Sequence, residues 1–251
     1  FDEYVEQFNS FISSIRPGGV LIFNEQDKLL KELVEKNSNP IKKIPYRIPD
    51  FFIDKGLTYL KTSEGEIPLS IFGNHNLSNL SGAMWVSQMI GVNSSDFYEA
   101  IPTFRGASKR LECLVKGETS LLFRDFAHAP SKVKATVDAV YNQFLDYEIT
   151  FCLELYTFSS LELEFLNQYF DTLKKSCNSI VFYDPVVLKN KNKRPISEDF
   201  VREAFDHSTL KLFTDKNALM NYLIEKNYVK HVLVFMSSGN FGGIDWEIIK
   251  S

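Results

Sequence analysis

The chain has 251 residues, 44% hydrophobic and 24% charged, enough apolar mass for one large core or two modest ones. A formal net charge of −4 excludes a general electrostatic affinity for nucleic acid or anionic membranes, although a local basic pocket can still hold a phosphate. No apolar run approaches the roughly 18 residues of a membrane-spanning helix, and no signal segment is apparent, so a cytoplasmic protein is expected. Cys113, Cys152 and Cys177 are widely spaced in apolar surroundings, which fits buried free thiols better than a disulfide framework or a zinc site.

Phe1, Tyr4, Val5, Phe8, Phe11, Ile12 and Ile15 recur at helical spacing, so the chain is expected to open inside an amphipathic helix, as a piece of a longer protein would. The turn signal "RPGG" feeds a short strand at residues 20–23, and "DKLLKELVEK" reads as a helix. Residues 36–49, rich in proline, asparagine and lysine, read as a loop, and residues 51–72 as short strands, best fitted by a hairpin, broken at Gly56 and "SEGE". Leu77, Leu80, Ala83, Met84, Met89 and Ile90 then follow a helical face that stops at Gly91. A second helix near "SSDFYEAIPTF" closes this region, with a domain boundary expected near Phe104.

From there apolar runs at residues 111–115, 120–126, 149–155, 179–183, 210–213 and 231–236 alternate with helical segments near 131–144, 161–175, 197–205, 216–226 and 243–250. Runs such as "HVLVFM" show no polar alternation and suit strands covered on both faces, so a mainly parallel, doubly wound α/β sheet is expected. Ligands of such sheets sit beyond the carboxyl ends of the strands. That puts "RDFAHAP", "LELYTFSS", "FYDP" and "MSSGNFGG" on one edge.

The sequence holds no G-x-x-x-x-G-K-[ST] phosphate loop, no G-x-G-x-x-G fingerprint and no H-E-x-x-H, and no metal ligands are assigned within it. In "GNHNLSN" His75, Asn76 and Asn79 stand at a helix start, where an asparagine either caps backbone N–H groups or offers its amide to a purine edge. Lys109 and Arg110 of "SKRLE" form either a phosphate clamp or a solvated basic pair. Asp125 suits ribose hydroxyls and His128 a carboxylate or phosphate, unless "RDFAHAP" is an ordinary strand-to-helix turn with Pro130 opening the helix. "SSGNFGG" either receives an anion on backbone N–H groups or is only a tight turn.

Taken in order, G-x-H-N-x-x-N, K-R-L-E, D-F-A-H-x-P and S-x-G-N-F-G-G resemble the Mur ligases, the ATP-dependent enzymes that join amino acids or peptides to UDP-N-acetylmuramate. Within that family "FRGASKRLE", "DFAHAP" and "MSSGNFGGI" look closest to the murein peptide ligase branch. That branch reattaches the recovered tripeptide L-alanyl-γ-D-glutamyl-meso-diaminopimelate in cell-wall recycling. The L-alanine-adding branch of peptidoglycan biosynthesis, a non-catalytic nucleotide-binding module of the same fold, and a folylpolyglutamate or cyanophycin-type ligase are the alternatives.

The resemblance implies that residues 1–103 are the later part of the central ATP-binding domain and residues 104–251 the Rossmann-like C-terminal domain. The UDP-binding domain, the phosphate loop and most ligands of Mg2+ are expected ahead of Phe1, so these 251 residues alone are expected to be inactive. It further implies that His75, Asn76 and Asn79 face adenine, that Lys109 and Arg110 reach phosphates, and that Asp125 holds the ribose side. His128, Thr157, Ser159, Ser238 and Asn240 would lie on the incoming amine substrate. The implied partners are ATP, UDP-N-acetylmuramate and an amino acid or tripeptide, with neither nucleic acid nor membrane. Where the family places arginines to grip the substrate carboxylate, this chain reads "LELYTFSSL", with no cation between Phe151 and Leu173.

Overall fold

Two small sheets organise the first 104 residues and one six-stranded sheet the remainder. These are the two compact units, Phe1–Phe104 and Arg105–Ser251, of a computed structural model that describes residues 2–176 and 178–244.

In the first unit α1 (Asp2–Ser14) buries Ile12, which packs with Leu21, Phe23 and Val34. Two of these partners lie on β1 (Val20–Asn24) and one on α2 (Lys28–Lys36). The α2 start is fixed by Asp27, whose carboxylate accepts the Leu30 N–H at 3.0 Å. The expected loop at residues 36–49 contains a strand, β2 (Lys42–Tyr46), parallel to β1 from Val20↔Lys42 to Asn24↔Tyr46. Its sequence "KKIPY" buries only Ile44, so no apolar run announced it. Pro45 is tolerated because β2 pairs on one side only.

β3 (Phe51–Asp54), β4 (Leu57–Thr62) and β5 (Gly65–Leu69) form an antiparallel meander, one strand more than the expected hairpin. Lys55 and Gly56 both have positive φ, 48° and 75°, which fits the two-residue turn between Asp54 and Leu57. Leu60, Leu69 and Ile71 pack with Leu77 and Leu80 of α3 (Asn74–Met89). Gly91 follows that helix at φ +97°, and α4 (Ser94–Ala100) begins where Asn93 accepts the Asp96 N–H.

The second unit runs β6 (Glu112–Lys116), β7 (Ser120–Asp125), α5 (Pro130–Gln143), β8 (Glu148–Glu154), α6 (Leu163–Leu166) and β9 (Asn178–Phe182). It continues through α7 (Pro185–Asn190), α8 (Glu198–Ala204), β10 (Lys211–Phe213), α9 (Lys216–Ile224) and β11 (His231–Met236). The strand order is β10-β9-β8-β11-β7-β6, parallel throughout except that β6 is antiparallel to β7. The expected mainly parallel sheet is therefore present. Every residue of β11 is buried, and Leu233 and Phe235 share a core with Cys152, Ile180, Phe182 and Leu219. Because Met236 aligns with Asp125 on one side and Leu153 on the other, the carboxyl ends of β7, β11 and β8 lie side by side.

Further expectations for the second unit need correction. Residues 161–175 are not one helix: α6 has four residues and is flanked by 3₁₀ turns at Ser159–Leu161 and Asn167–Tyr169. Asp171 at φ +63° and Thr172, whose hydroxyl donates to the Tyr169 carbonyl, break the run. Helix α7 was unforeseen, although "DP" signals it: Asp184 accepts the Val186 N–H and Pro185 takes the first helical position. Cys113 is exposed on the edge strand β6, beside a register shift, while Cys152 is buried. Cys177 and nearly all of the helix expected at 243–250 lie outside the described residues. Among the described residues no helix is long and apolar enough to cross a membrane.

His231 opens β11 fully buried, with Nε2 2.9 Å from Thr150 Oγ1 and Nδ1 3.8 Å from the Glu148 carboxylate without a hydrogen bond. Burial holds this imidazole below its usual range. The unfolded chain therefore takes up the proton first, so His231 leaves stability intact above the ordinary histidine value and erodes it as pH falls below that value. Melting temperature should decline through this window, and His231→Gln should flatten the decline.

Candidate ligand site at the carboxyl edge of the sheet

Asp125, the last residue of β7, is 5% exposed and has both carboxylate oxygens engaged. Oδ2 accepts the Leu111 N–H at 2.8 Å and Oδ1 the Ala127 N–H at 2.6 Å. The Phe126 N–H donates to the Lys109 carbonyl at 2.7 Å, and the Lys109 N–H to Glu112 Oε2 at 2.8 Å. Lys109 and Leu111 both have left-handed backbones, φ 58° and 44°. A tight basic turn is thereby fastened to the strand end. Glu112 also pairs with Arg124 at 2.8 Å, and this guanidinium holds the Glu112 carboxyl below the usual carboxylate range. Arg124 Nε is buried with no hydrogen-bond partner.

His128 follows on the same strand-to-helix connection. Its Nδ1 lies 2.8 Å from the Phe126 carbonyl, which can only accept, so Nδ1 carries a proton and the neutral ring presents its lone pair at Nε2. The fully buried Tyr169 donates its hydroxyl to the His128 carbonyl, and Phe126 meets the imidazole edge-on with ring centroids 5.1 Å apart.

Glu154 ends β8 at 2% exposure. Its Oε2 accepts the Ser237 hydroxyl and the Phe241 N–H, the latter at 2.9 Å, while Ser237 Oγ accepts the Gly239 N–H at 2.6 Å. Burial pushes the Glu154 carboxyl up, against the lowering effect of those two donors. A Cβ on Gly239 would lie 2.7 Å from Glu154 Oε2 and 2.7 Å from the Tyr156 ring, so glycine is required by close approach. The Gly243 and Ile244 N–H groups both donate to the Asn240 carbonyl. These amides are engaged inside the loop, as in a tight turn.

Lys109, Arg124, Asp125, Ser237, Gly239 and Asn240 line a cavity of about 70 Å³. Of the residues singled out from sequence, Lys109, Asp125 and Asn240 thus meet at one cavity, with His128 on the connection beside it. Arg110 is exposed and Ser238 Oγ is buried without a partner. Thr157 uses its hydroxyl within its own loop, donating to Ser160 Oγ at 2.9 Å and accepting the Ser160 N–H at 3.1 Å, and Ser159 is exposed. His75, Asn76 and Asn79 lie on the first turns of α3 in the other unit. Neither asparagine caps that helix: Gly73 is the cap, Asn76 Nδ2 donates to the Phe72 carbonyl at 3.0 Å, and Asn79 is exposed.

Sequence reasoning missed Arg124 and Glu154, whereas Ser237 fell within the loop of residues 237–243 expected to face the amine substrate. The available signal was a charged residue ending or interrupting an otherwise apolar strand. Among the described residues no group of three or more histidine, cysteine, aspartate or glutamate side chains is placed to hold a metal ion. No described residue is assigned to Mg2+, and no chemical step is routed through it. The cavity suits an anion, with the cationic side chains of Lys109 and Arg124 in its lining, and His128 follows three residues after Asp125.

No family model matches the chain. The UDP-N-acetylmuramate–L-alanine ligase of Caldicellulosiruptor bescii is 28% identical over 207 residues, 76% of this chain and 44% of that protein. The murein peptide ligase of Psychrobacter arcticus superposes with a TM-score of 0.60 at 19% identity, covering 99% of this chain and 54% of its own. The MurF ligase of Thermotoga maritima, solved in complex with ADP, gives 0.65 at 14% identity over 89% of this chain and 51% of its own. The chain spans about half the length of the curated relatives it matches. Its mixed α/β architecture is that of Mur ligase domains, and in sequence as in fold the chain is similar to the Mur ligases.

Proposed function

We propose that this chain is the nucleotide- and amine-handling part of an ATP-dependent ligase that joins L-alanyl-γ-D-glutamyl-meso-diaminopimelate to UDP-N-acetylmuramate. The observation that carries this reading is the cavity of Lys109, Arg124 and Asp125 beside His128 at the carboxyl edge of a sheet with the Mur ligase fold.

In this reading the UDP-muramyl carboxylate attacks the γ-phosphorus of ATP, ADP leaves, and the peptide amine attacks the resulting acyl phosphate. A tetrahedral intermediate then collapses with release of phosphate, and the amine nitrogen gives up a proton. Lys109 neutralises phosphate charge, with Arg110 on the same turn and Arg124 deeper in the cavity. Asp125 keeps the basic turn on the strand end and offers its remaining lone pairs to ribose hydroxyls. His128 Nε2 accepts a hydrogen bond from the incoming amine and orients its attack. Asn76 and Asn79, with His75 beside them, receive adenine. Ser238 and Asn240 border the amine from the loop after β11, and Thr157 and Ser159 from the loop after β8.

A second reading, L-alanine as the amine, is favoured by the names of the sequence relatives. Product mass separates the two. A protein carrying this chain, given ATP, magnesium, UDP-N-acetylmuramate and equimolar L-alanine and tripeptide, is expected to yield the tripeptide adduct. The L-alanine adduct would transfer the protein to the biosynthetic branch, and neither adduct would end the ligase reading.

A further inference from the structure

The backbone leading to His128 is tied down at successive residues by groups on the same edge. Asp125 is held through its carboxylate, Phe126 through its N–H to the Lys109 carbonyl, and Ala127 through its N–H to Asp125. His128 itself is held from a distance. Its carbonyl accepts the hydroxyl of Tyr169, which lies 41 residues later in the 3₁₀ turn that follows α6.

Tyr169 is well placed to hold a backbone still. Its ring is fully buried, stacks on Phe205 with centroids 5.0 Å apart and planes 14° from parallel, and meets Phe165 edge-on at 6.0 Å. The Tyr169 carbonyl accepts the Thr172 hydroxyl at 2.7 Å, and the Asp171 N–H donates to the Phe205 carbonyl at 3.3 Å. Burial pushes the phenol above its usual range, so the hydroxyl keeps the proton it donates. Any buried tyrosine needs an acceptor. This one uses the carbonyl bonded to the His128 Cα, and fixing that carbonyl fixes the direction in which the imidazole leaves the chain.

We propose that Tyr169 is a positioning residue for His128: its hydroxyl sets the His128 backbone so that Nδ1–H points at the Phe126 carbonyl and Nε2 is left for the incoming amine. The inference rests on the ligase reading above for the role of Nε2 and specifies how that atom is held.

Tyr169→Phe keeps both ring contacts and removes the hydroxyl alone. Thr172→Ala breaks another buried hydrogen bond of the same segment and leaves the hydroxyl in place. Nitrogen-15 NMR of the neutral His128 ring reads its tautomer, which a merely structural role would not move. The wild-type chain should hold mainly the Nδ1–H form, Tyr169→Phe should lose that preference, and Thr172→Ala should retain it although both variants melt lower. Wild-type nitrogen shifts in Tyr169→Phe, or equal changes in Thr172→Ala, would overturn the assignment. Should Tyr169→Phe not fold, the wild-type chain decides: the Tyr169 hydroxyl proton should exchange slowly and couple across the hydrogen bond to the His128 carbonyl carbon, and a fast-exchanging, uncoupled proton would overturn it.

In a protein carrying this chain, Tyr169→Phe should lower kcat/KM for the amine substrate roughly threefold to tenfold, the size of one hydrogen bond, with KM for ATP unchanged. Altered His128 shifts with no ligation product from the wild-type protein would end the ligase reading and leave the Tyr169 assignment standing. Product formation with unaltered shifts gives the reverse.

Discussion

Asp125→Ala should destabilise the second unit by roughly 2–6 kcal/mol, from two buried N–H groups stranded at about 1–3 kcal/mol each. The donors are the amides of Leu111 and Ala127. Alanine cannot accept from either, and the site is too buried for bulk water to replace the carboxylate. The loss reaches beyond stability, because the Leu111 amide, together with the Phe126 N–H to the Lys109 carbonyl, ties the left-handed turn of Lys109 and Leu111 to the strand end. Asp125→Asn keeps one acceptor oxygen and should fall between wild type and alanine. Urea unfolding with an m-value unchanged among the three proteins would measure the ranking directly.

Gly239→Ala should have the second-largest effect. The new methyl would sit 2.7 Å from the Glu154 carboxylate and from the Tyr156 ring, separations that no rotamer of alanine relieves. Either the Ser237–Phe241 turn lifts from Glu154 or the ring moves. Overpacking of this kind typically costs about 1–3 kcal/mol, and here it disturbs the donors to a buried carboxylate, among them Ser237 and Phe241. Gly65→Ala is the control: nothing lies within 4 Å of its added Cβ, and its cost is confined to backbone strain at φ +123°. Thermal melts of both variants, with tripeptide affinity of Gly239→Ala, would show lowered stability in each and lost binding only at Gly239.

The large sheet was legible because burial on both faces leaves a local trace, seen in runs such as "HVLVFM" and "ITFCL". β2 left no such trace, since one buried isoleucine among lysines and a proline reads as a loop. Residues 161–175 misled for the opposite reason. Leu161, Leu166, Tyr169 and Leu173 are all buried, but the chain reaches that burial through successive short turns. At the site, Lys109, Asp125 and His128 stood out because they follow or precede strand ends within short stretches. Glu154 did not, since its role depends on Ser237, 83 residues away, and on β11 lying beside β8. The loop at residues 156–160 looked devoid of positive charge because Lys191, which donates to the Tyr156 carbonyl, arrives 35 residues later.

The central claim is that the carboxyl edge formed by β7, β8 and β11 is one ligand site. Its most direct test is a crystal structure of the chain with ADP and the tripeptide bound. The account predicts phosphate oxygens at Lys109 and the peptide amine at His128 Nε2. Ligands seated away from this edge, with the cavity beside Asp125 and Gly239 left empty, would contradict it.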